Sequence, residues 1–459
     1  LSMQQASDFN TGFKHLLRYF LAVSFFVAAC NPKLDEPRYT EGNADFSSYV
    51  AIGSGFMAGY MDGALTRNGQ LQSLPALLSS RFALAGGGTF KQPLVNPGDG
   101  FGFDFITQAP VGRIKLVNEI NCLGKADLGL KVLSINPDDY TWIGNLGPYN
   151  NLAVPGAKSF NLYSQTFGKN SVNGSPYFHR FASDTGTVGG LSSTVLGDAS
   201  QLDATFFTLW IGTSDLLAYS LAGGKTNGNP FFDLTPSSVF DAAIDTIVES
   251  LTTNGAEGLI ANIPDITELP FFSTIPYNGL VLTQAQADSL NLVSPGIVFE
   301  AGANGFVAYT GATGGPIQQL GEGELILSSV SLDDIRCNKL GTTLNPIPSE
   351  YILDSTEVQN IRQSLLSYNA KLRNVANAYN LAYCDMNGFF KTLSKGIVYN
   401  GASYSNAFIT GGAFSLDGIH PNGRGYALIA NEFVRVINAR FNSNLPFVDV
   451  NASTGIIFP

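Results

Sequence analysis

Charge is scarce in this sequence: Asp, Glu, Lys and Arg together make up 13% of its 459 residues, about half the usual share. With 44% hydrophobic residues, the chain has too much apolar content for a solvated, disordered polymer. The charge that is present runs acidic, to a formal net of −11. That sign opposes the counterion release that drives binding to phosphate backbones, so nucleic acid is excluded as an expected partner. Cysteine is sparse too. Cys30, Cys122, Cys337 and Cys384 form no CxxC pair and have no histidine beside them, so no metal centre is expected. The three after Cys30 are an odd number spread over more than 260 positions and read as buried apolar thiols, not as a disulfide framework. Histidine occurs only at His15, His179 and His420, which leaves few places for imidazole chemistry.

The N-terminus reads as an export signal. Lys14, His15 and Arg18 form a basic n-region, and residues 19–27 form an apolar h-region too short to span a bilayer. The segment ends Val27-Ala28-Ala29-Cys30, which resembles a bacterial lipobox. On that resemblance residues 1–29 are a lipoprotein signal peptide, cleavage falls before Cys30, and diacylation of its sulfur tethers the mature chain. Residues 30–46, with prolines and several acids, suit a flexible spacer between anchor and domain. Loss of the leader removes His15, leaving His179 and His420.

Strand signals alternate with helical ones from there on. Ser48-Tyr49-Val50-Ala51-Ile52 leads into Gly53 and a run of small residues, which predicts strand, tight turn, helix. The continuous apolar run Phe206-Phe207-Thr208-Leu209-Trp210-Ile211 predicts a strand buried on both faces. Helical spacing over residues 237–251 is followed by a third apolar run at residues 258–263. Asp354 and Glu357 make a capping signal ahead of Val358, Ile361, Leu365, Tyr368, Leu372 and Val375, which predicts a long amphipathic helix. A short strand at residues 381–384 and a closing helix over residues 426–441 complete the pattern. Such alternation predicts a parallel sheet covered on both sides. The Gly-, Pro- and Asn-rich stretches at about 60–200 and 265–350 read as insertions in one domain, 47–441, with 442–459 as a C-terminal tail.

In such sheets ligands bind beyond the C-terminal ends of the strands. Leu416-Asp417-Gly418-Ile419-His420-Pro421 offers a carboxylate and an imidazole three apart, able to form a pair in which the acid orients the ring. His179 has no acid at a helpful spacing and reads as a loop or rim residue, while Asp62 and Asp215 read as loop-holding caps. Asn96-Pro97-Gly98-Asp99-Gly100 reads as a turn, since it lacks the alternating oxygens of a calcium loop.

With these segments in order, the chain resembles the SGNH or GDSL-type hydrolases, and among them the lipid-anchored forms of Gram-negative bacteria. Residues 49–60 are similar to the family's first block, Asn151-Leu152-Ala153-Val154-Pro155-Gly156-Ala157 to the second, Leu209-Trp210-Ile211-Gly212-Thr213-Ser214-Asp215 to the third, and residues 416–421 to the fifth. The resemblance implies a three-layer α/β/α sandwich with a flavodoxin-like parallel sheet and long loop insertions. It implies acyl-ester hydrolysis through a serine acyl-enzyme, without a cofactor, with Asp417 and His420 as acid and base and Gly156 as an oxyanion donor. It also implies a protein held at the outer membrane, on the periplasmic or surface side, through lipidated Cys30.

Two departures stand against that activity. Counted from Gly53 to Gly59, Ser54 occupies the family's Asp/Asn position and Gly55 the nucleophile position. Ser214 replaces the oxyanion-donating Asn of the third block and brings one donor in place of an amide's two. Three expectations follow. Ser54 could serve as a displaced nucleophile beside His420. The scaffold could instead hold an acyl, lipid or glycan ligand without turning it over, as an accessory lipoprotein beside an outer-membrane transporter. Asp417 and His420 could also activate water directly.

Overall fold

The computed structural model describes residues 38–104, 109–135, 137–169, 174–186, 190–226 and 228–459. Residues 1–37, which take in the expected leader, Cys30 and the first part of the expected spacer, lie outside the described residues; of the remaining spacer positions, Ala44 and Phe46 are buried in the core. Tyr39–Pro459 form one compact unit.

Its centre is a parallel sheet whose strands are the apolar runs of the sequence: β1 (Tyr49–Gly53), β2 (Phe206–Trp210), β3 (Glu257–Ala261) and β4 (Ala382–Cys384). They pair in the order β1, β2, β3, β4, all parallel. Residues 150–154 add an outer edge: Ala51 bridges Asn151 in parallel, and the Val154 N–H donates to the Gly53 carbonyl at 3.0 Å. By chain position the order is therefore 2-1-3-4-5, the flavodoxin-like arrangement, with its switch point between β1 and β2. Both strands are buried along their whole length, which explains why they read as unbroken hydrophobic runs and not as alternations.

Helices cover both faces. They are α1 (Gly55–Ala58), α2 (Thr213–Leu221), α3 (Ser237–Thr252), α4 (Ser355–Ala378) and α5 (Gly423–Phe441). α4 starts at a capping box, in which Asp354 accepts from the Glu357 N–H and Glu357 from the Asp354 N–H. The residues expected on its inner face are buried. α5 begins three residues before the periodicity suggests, because the Asn422 side chain caps it by accepting from the Gly425 N–H at 3.0 Å, a favoured helix start.

The two insertions behave differently. Phe101, Tyr149, Phe178 and Phe181 of the first are buried in the same core as the sheet, whereas residues 275–352 carry small hydrophobic clusters of their own. They are joined by a disulfide, Cys122–Cys337, against the expectation of separate apolar thiols. Both cysteines lie in insertion segments, Cys122 at an exposed turn, so the burial argued for them does not hold. Only Cys384, in β4, is a free buried thiol among the described residues.

Candidate active site

The C-terminal ends of β1 and β2 converge at the switch point. β1 ends at Gly53, and α1 starts two residues later, so Ser54 is its N-cap. β2 gives way to Gly212, whose φ of 108° lies where a side chain is strained and turns the chain into α2 with Thr213 and Ser214 in its first turn. On the other flank, Val154 is tied to Gly53, so Pro155 and Gly156 also leave the sheet beside Ser54. Gly156 has φ 76°, and its N–H donates to nothing among the described residues.

The loop ahead of α5 arrives over this edge. Asp417 is enclosed by donors: the Ser415 hydroxyl and the Ile419 and His420 N–H groups bond its Oδ1 at 2.9, 2.9 and 2.8 Å. Its Oδ2 accepts from His420 Nδ1 at 2.9 Å and from the Gly63 N–H at 3.2 Å. Burial pushes the Asp417 carboxyl up, but the His420 ring and these donors outweigh it and hold the group below the ordinary carboxylate range. An ionised Asp417 requires the proton on Nδ1, so Nε2 of the neutral ring carries the lone pair. The ring packs at 5.3 Å from Phe56 and 4.8 Å from Tyr60, centroid to centroid.

Nε2 faces Gly55. A Cβ built on Gly55 would lie 2.3 Å from His420 Nε2, well inside van der Waals contact, so the imidazole fills the space a side chain would need. Ser54 is buried and makes no side-chain hydrogen bond, neither as a cap nor to His420. The turn is fixed from behind: the Tyr426 hydroxyl of α5 donates to the carbonyls of Tyr60 and Gly55 at 2.8 and 3.2 Å.

Asp62 joins the two halves. Its N–H donates to Ser415 Oγ, and its Oδ1 accepts from the Leu416 N–H, both at 2.9 Å. Burial, with Asp417 nearby, raises its pKa to about 6. Asp215 accepts from the Ser159 N–H and hydroxyl at 2.9 and 2.8 Å, a loop-holding position like that of Asp62. His179 sits on the helix Pro176–Phe181 with Nδ1 2.9 Å from the Gly168 carbonyl and has no bond to the Asp417–His420 pair. Ser415, Gly63 and Tyr426 were not legible as site residues. A serine two before the acid is the one local cue, because such hydroxyls bond nearby side chains and backbone.

Taken together, a carboxylate-oriented imidazole stands at the switch point of a 2-1-3-4-5 sheet, flanked by two turns with glycines at positive φ. Comparison with protein families agrees with this geometry. The family model of the GDSL-like lipase/acylhydrolases matches residues 126–433, a stretch that takes in the second, third and fifth blocks and leaves out the first. No curated protein matches the sequence. The match covers more than half of the chain, which belongs to the GDSL-like lipase/acylhydrolase family.

Proposed function

We propose that this protein binds acyl esters in the family's cleft and lacks the serine acyl-enzyme step, because Gly55 stands where the nucleophile would be. The observation that carries the reading is the 2.3 Å between a Cβ built on Gly55 and His420 Nε2: the base points at the position that has no side chain. Ser54, which bonds nothing through its hydroxyl, supports the reading from the other side. Loss of a triad nucleophile costs roughly a millionfold in kcat in a serine protease studied in this way, and loss of one oxyanion donor, the change represented by Ser214, costs roughly 10²–10³. Together these leave binding as the main residual capacity. Cys30 and the leader before it support export and lipid anchoring at the outer membrane, with an accessory role beside a transporter as the corresponding partner.

A second reading is favoured by one observation: Nε2 has no partner among the described residues, so it could deprotonate a water that attacks the ester directly. The two readings separate in a single experiment. Purified protein is titrated with a non-hydrolysable ether analogue of a p-nitrophenyl acyl ester, then assayed on the ester itself. Saturable binding without turnover supports the first reading. Linear turnover without a burst, abolished by His420→Ala, supports the second. A burst of nitrophenol stoichiometric with protein contradicts both, since it reports an acyl-enzyme.

A further inference from the structure

Tyr60–Met61 and Ala64–Leu65 form a small antiparallel pair, with Tyr60 opposite Leu65 and Met61 opposite Ala64. That register leaves Asp62 and Gly63 as a two-residue hairpin loop, and both have positive φ, 55° and 73°. Two successive left-handed residues make a type I′ turn, for which Asp-Gly is a preferred pair and Asn-Gly and Gly-Gly are others. The turn reaches both oxygens of Asp417. The Asp62 N–H donates to Oγ of the buried Ser415, and the Ser415 hydroxyl donates onward to Asp417 Oδ1, each at 2.9 Å. The Gly63 N–H donates at 3.2 Å to Oδ2, the oxygen that also holds His420 Nδ1. The Asp62 side chain turns to the same loop, where its Oδ1 accepts from the Leu416 N–H at 2.9 Å. Two acids therefore stand behind one imidazole: Asp417 in direct contact, and Asp62 behind it.

The turn by itself does not account for the second acid. Asn or Gly would suit the same backbone, and Asn would also keep an acceptor for Leu416. A carboxylate instead sets a charge beside another of its own sign. Burial, opposed by the Leu416 bond, and the charge of Asp417, opposed by Arg113, leave the Asp62 pKa at about 6, so both acids are ionised at neutral pH. Arg113 offsets only part of this, because it is ion-paired with Asp99 at 2.9 Å and partly exposed. The phenols of Tyr60 and Tyr426 also face Asp417, and burial pushes both of them up, so they are neutral. The cation that acts on Asp417 is the His420 ring itself. We propose that Asp62 is a positioning residue for the Asp417–His420 pair: its turn fixes the Asp417 carboxylate, and its charge adds to that of Asp417 behind the ring, which makes Nε2 a stronger base.

This role rests on the reading in which His420 deprotonates water and deepens it, because a general base gains from a proton affinity raised toward the working pH. Basicity is nevertheless measured on the protein alone, with no ester present.

The test is a histidine NMR titration of the full chain, whose histidines are His15, His179 and His420, with His420→Gln to assign the ring. In Asp62→Asn the proton affinity of His420 should fall roughly three- to tenfold. That of His179, which bonds the Gly168 carbonyl and not the pair, should stay unchanged. Asp62→Gly, which also suits the turn, should give a fall at least as large and keeps the test valid if the Asn variant fails to fold. An unchanged or higher affinity in Asp62→Asn overturns the proposal, as does an equal fall at His179. A fall confined to Asp62→Gly also overturns it, since a lost hydrogen bond and not a lost charge would then be responsible. Ester turnover is assayed separately, so the two failures are distinct: no turnover with the expected titration counts against water activation alone, and turnover with an unmoved titration counts against Asp62 alone.

Discussion

The loop that carries Asp417 and the turn that carries Ser54 and Gly55 meet at the edge of one sheet, but they are supported to very different degrees. Asp417 receives five hydrogen bonds from its own loop and from Gly63. The hydroxyl of Ser54 receives and gives none. The difference teaches that an acid–base pair can persist for reasons of architecture. The bonds that orient His420 are also those that close the loop over the core, so they remain useful whether or not a hydroxyl stands in front of the ring. A nucleophile has no such second duty, so its absence, as proposed above for Gly55, is compatible with an intact fold.

The comparison is sharpened most by removing its strong side. Asp417→Ala leaves buried donors without an acceptor and should destabilise the protein on the order of 3–5 kcal/mol in urea unfolding. A loss under about 1 kcal/mol would mean that the loop is held by other contacts. Next comes Gly55→Ser, which inserts atoms into space held by the imidazole. It should cost about 1–3 kcal/mol, as overpacking does, unless the ring withdraws. Unchanged stability together with new ester turnover would show that His420 yields easily and that the site needs only its hydroxyl.

Asp62 adds a pH dependence. Its folded-state pKa of about 6 lies above the ordinary carboxylate value of about 3.9, so the folded state holds this proton more tightly. The corresponding stability is fully present below about pH 4 and is lost as pH rises through about 6. Asp417 is shifted the other way, and its contribution is lost only as pH falls below the ordinary range. Asp62→Asn keeps an acceptor for Leu416 and tolerates the φ of 55°. Urea midpoints at pH 4 and 7 should therefore converge in the variant relative to the parent, and an unaltered slope would place the titrating group elsewhere. The smallest effect belongs to the weak side: Ser54→Ala should change stability by no more than about 0.5 kcal/mol, and a larger loss would reveal a bond that the present geometry lacks.

How much of this is legible without coordinates follows from how local each signal is. The four strands are short apolar runs, α4 is announced by Asp354 and Glu357, and the Asp417–His420 pair lies within one turn of chain. All three depend on neighbours in sequence. The pairing of Cys122 with Cys337 spans 215 residues through two insertions, and no local pattern reports where such loops meet. The antiparallel hairpin of Ile114–Ile120 and Ala126–Val132 is hidden for a related reason, because its alternation is submerged in a stretch rich in Gly, Pro and Asn and broken by Gly129. Spacing from Gly53 to Gly59 is what puts Gly55, on the proposed reading, in the nucleophile register. That the imidazole has closed onto it depends on Tyr426, Phe56 and Tyr60, which come from separate parts of the chain.

The most direct test is labelling of the folded protein with a fluorophosphonate, read by intact mass beside an active serine hydrolase. The account predicts no adduct while the control reacts fully. A stoichiometric adduct that maps to Ser54 and disappears in Ser54→Ala would contradict it.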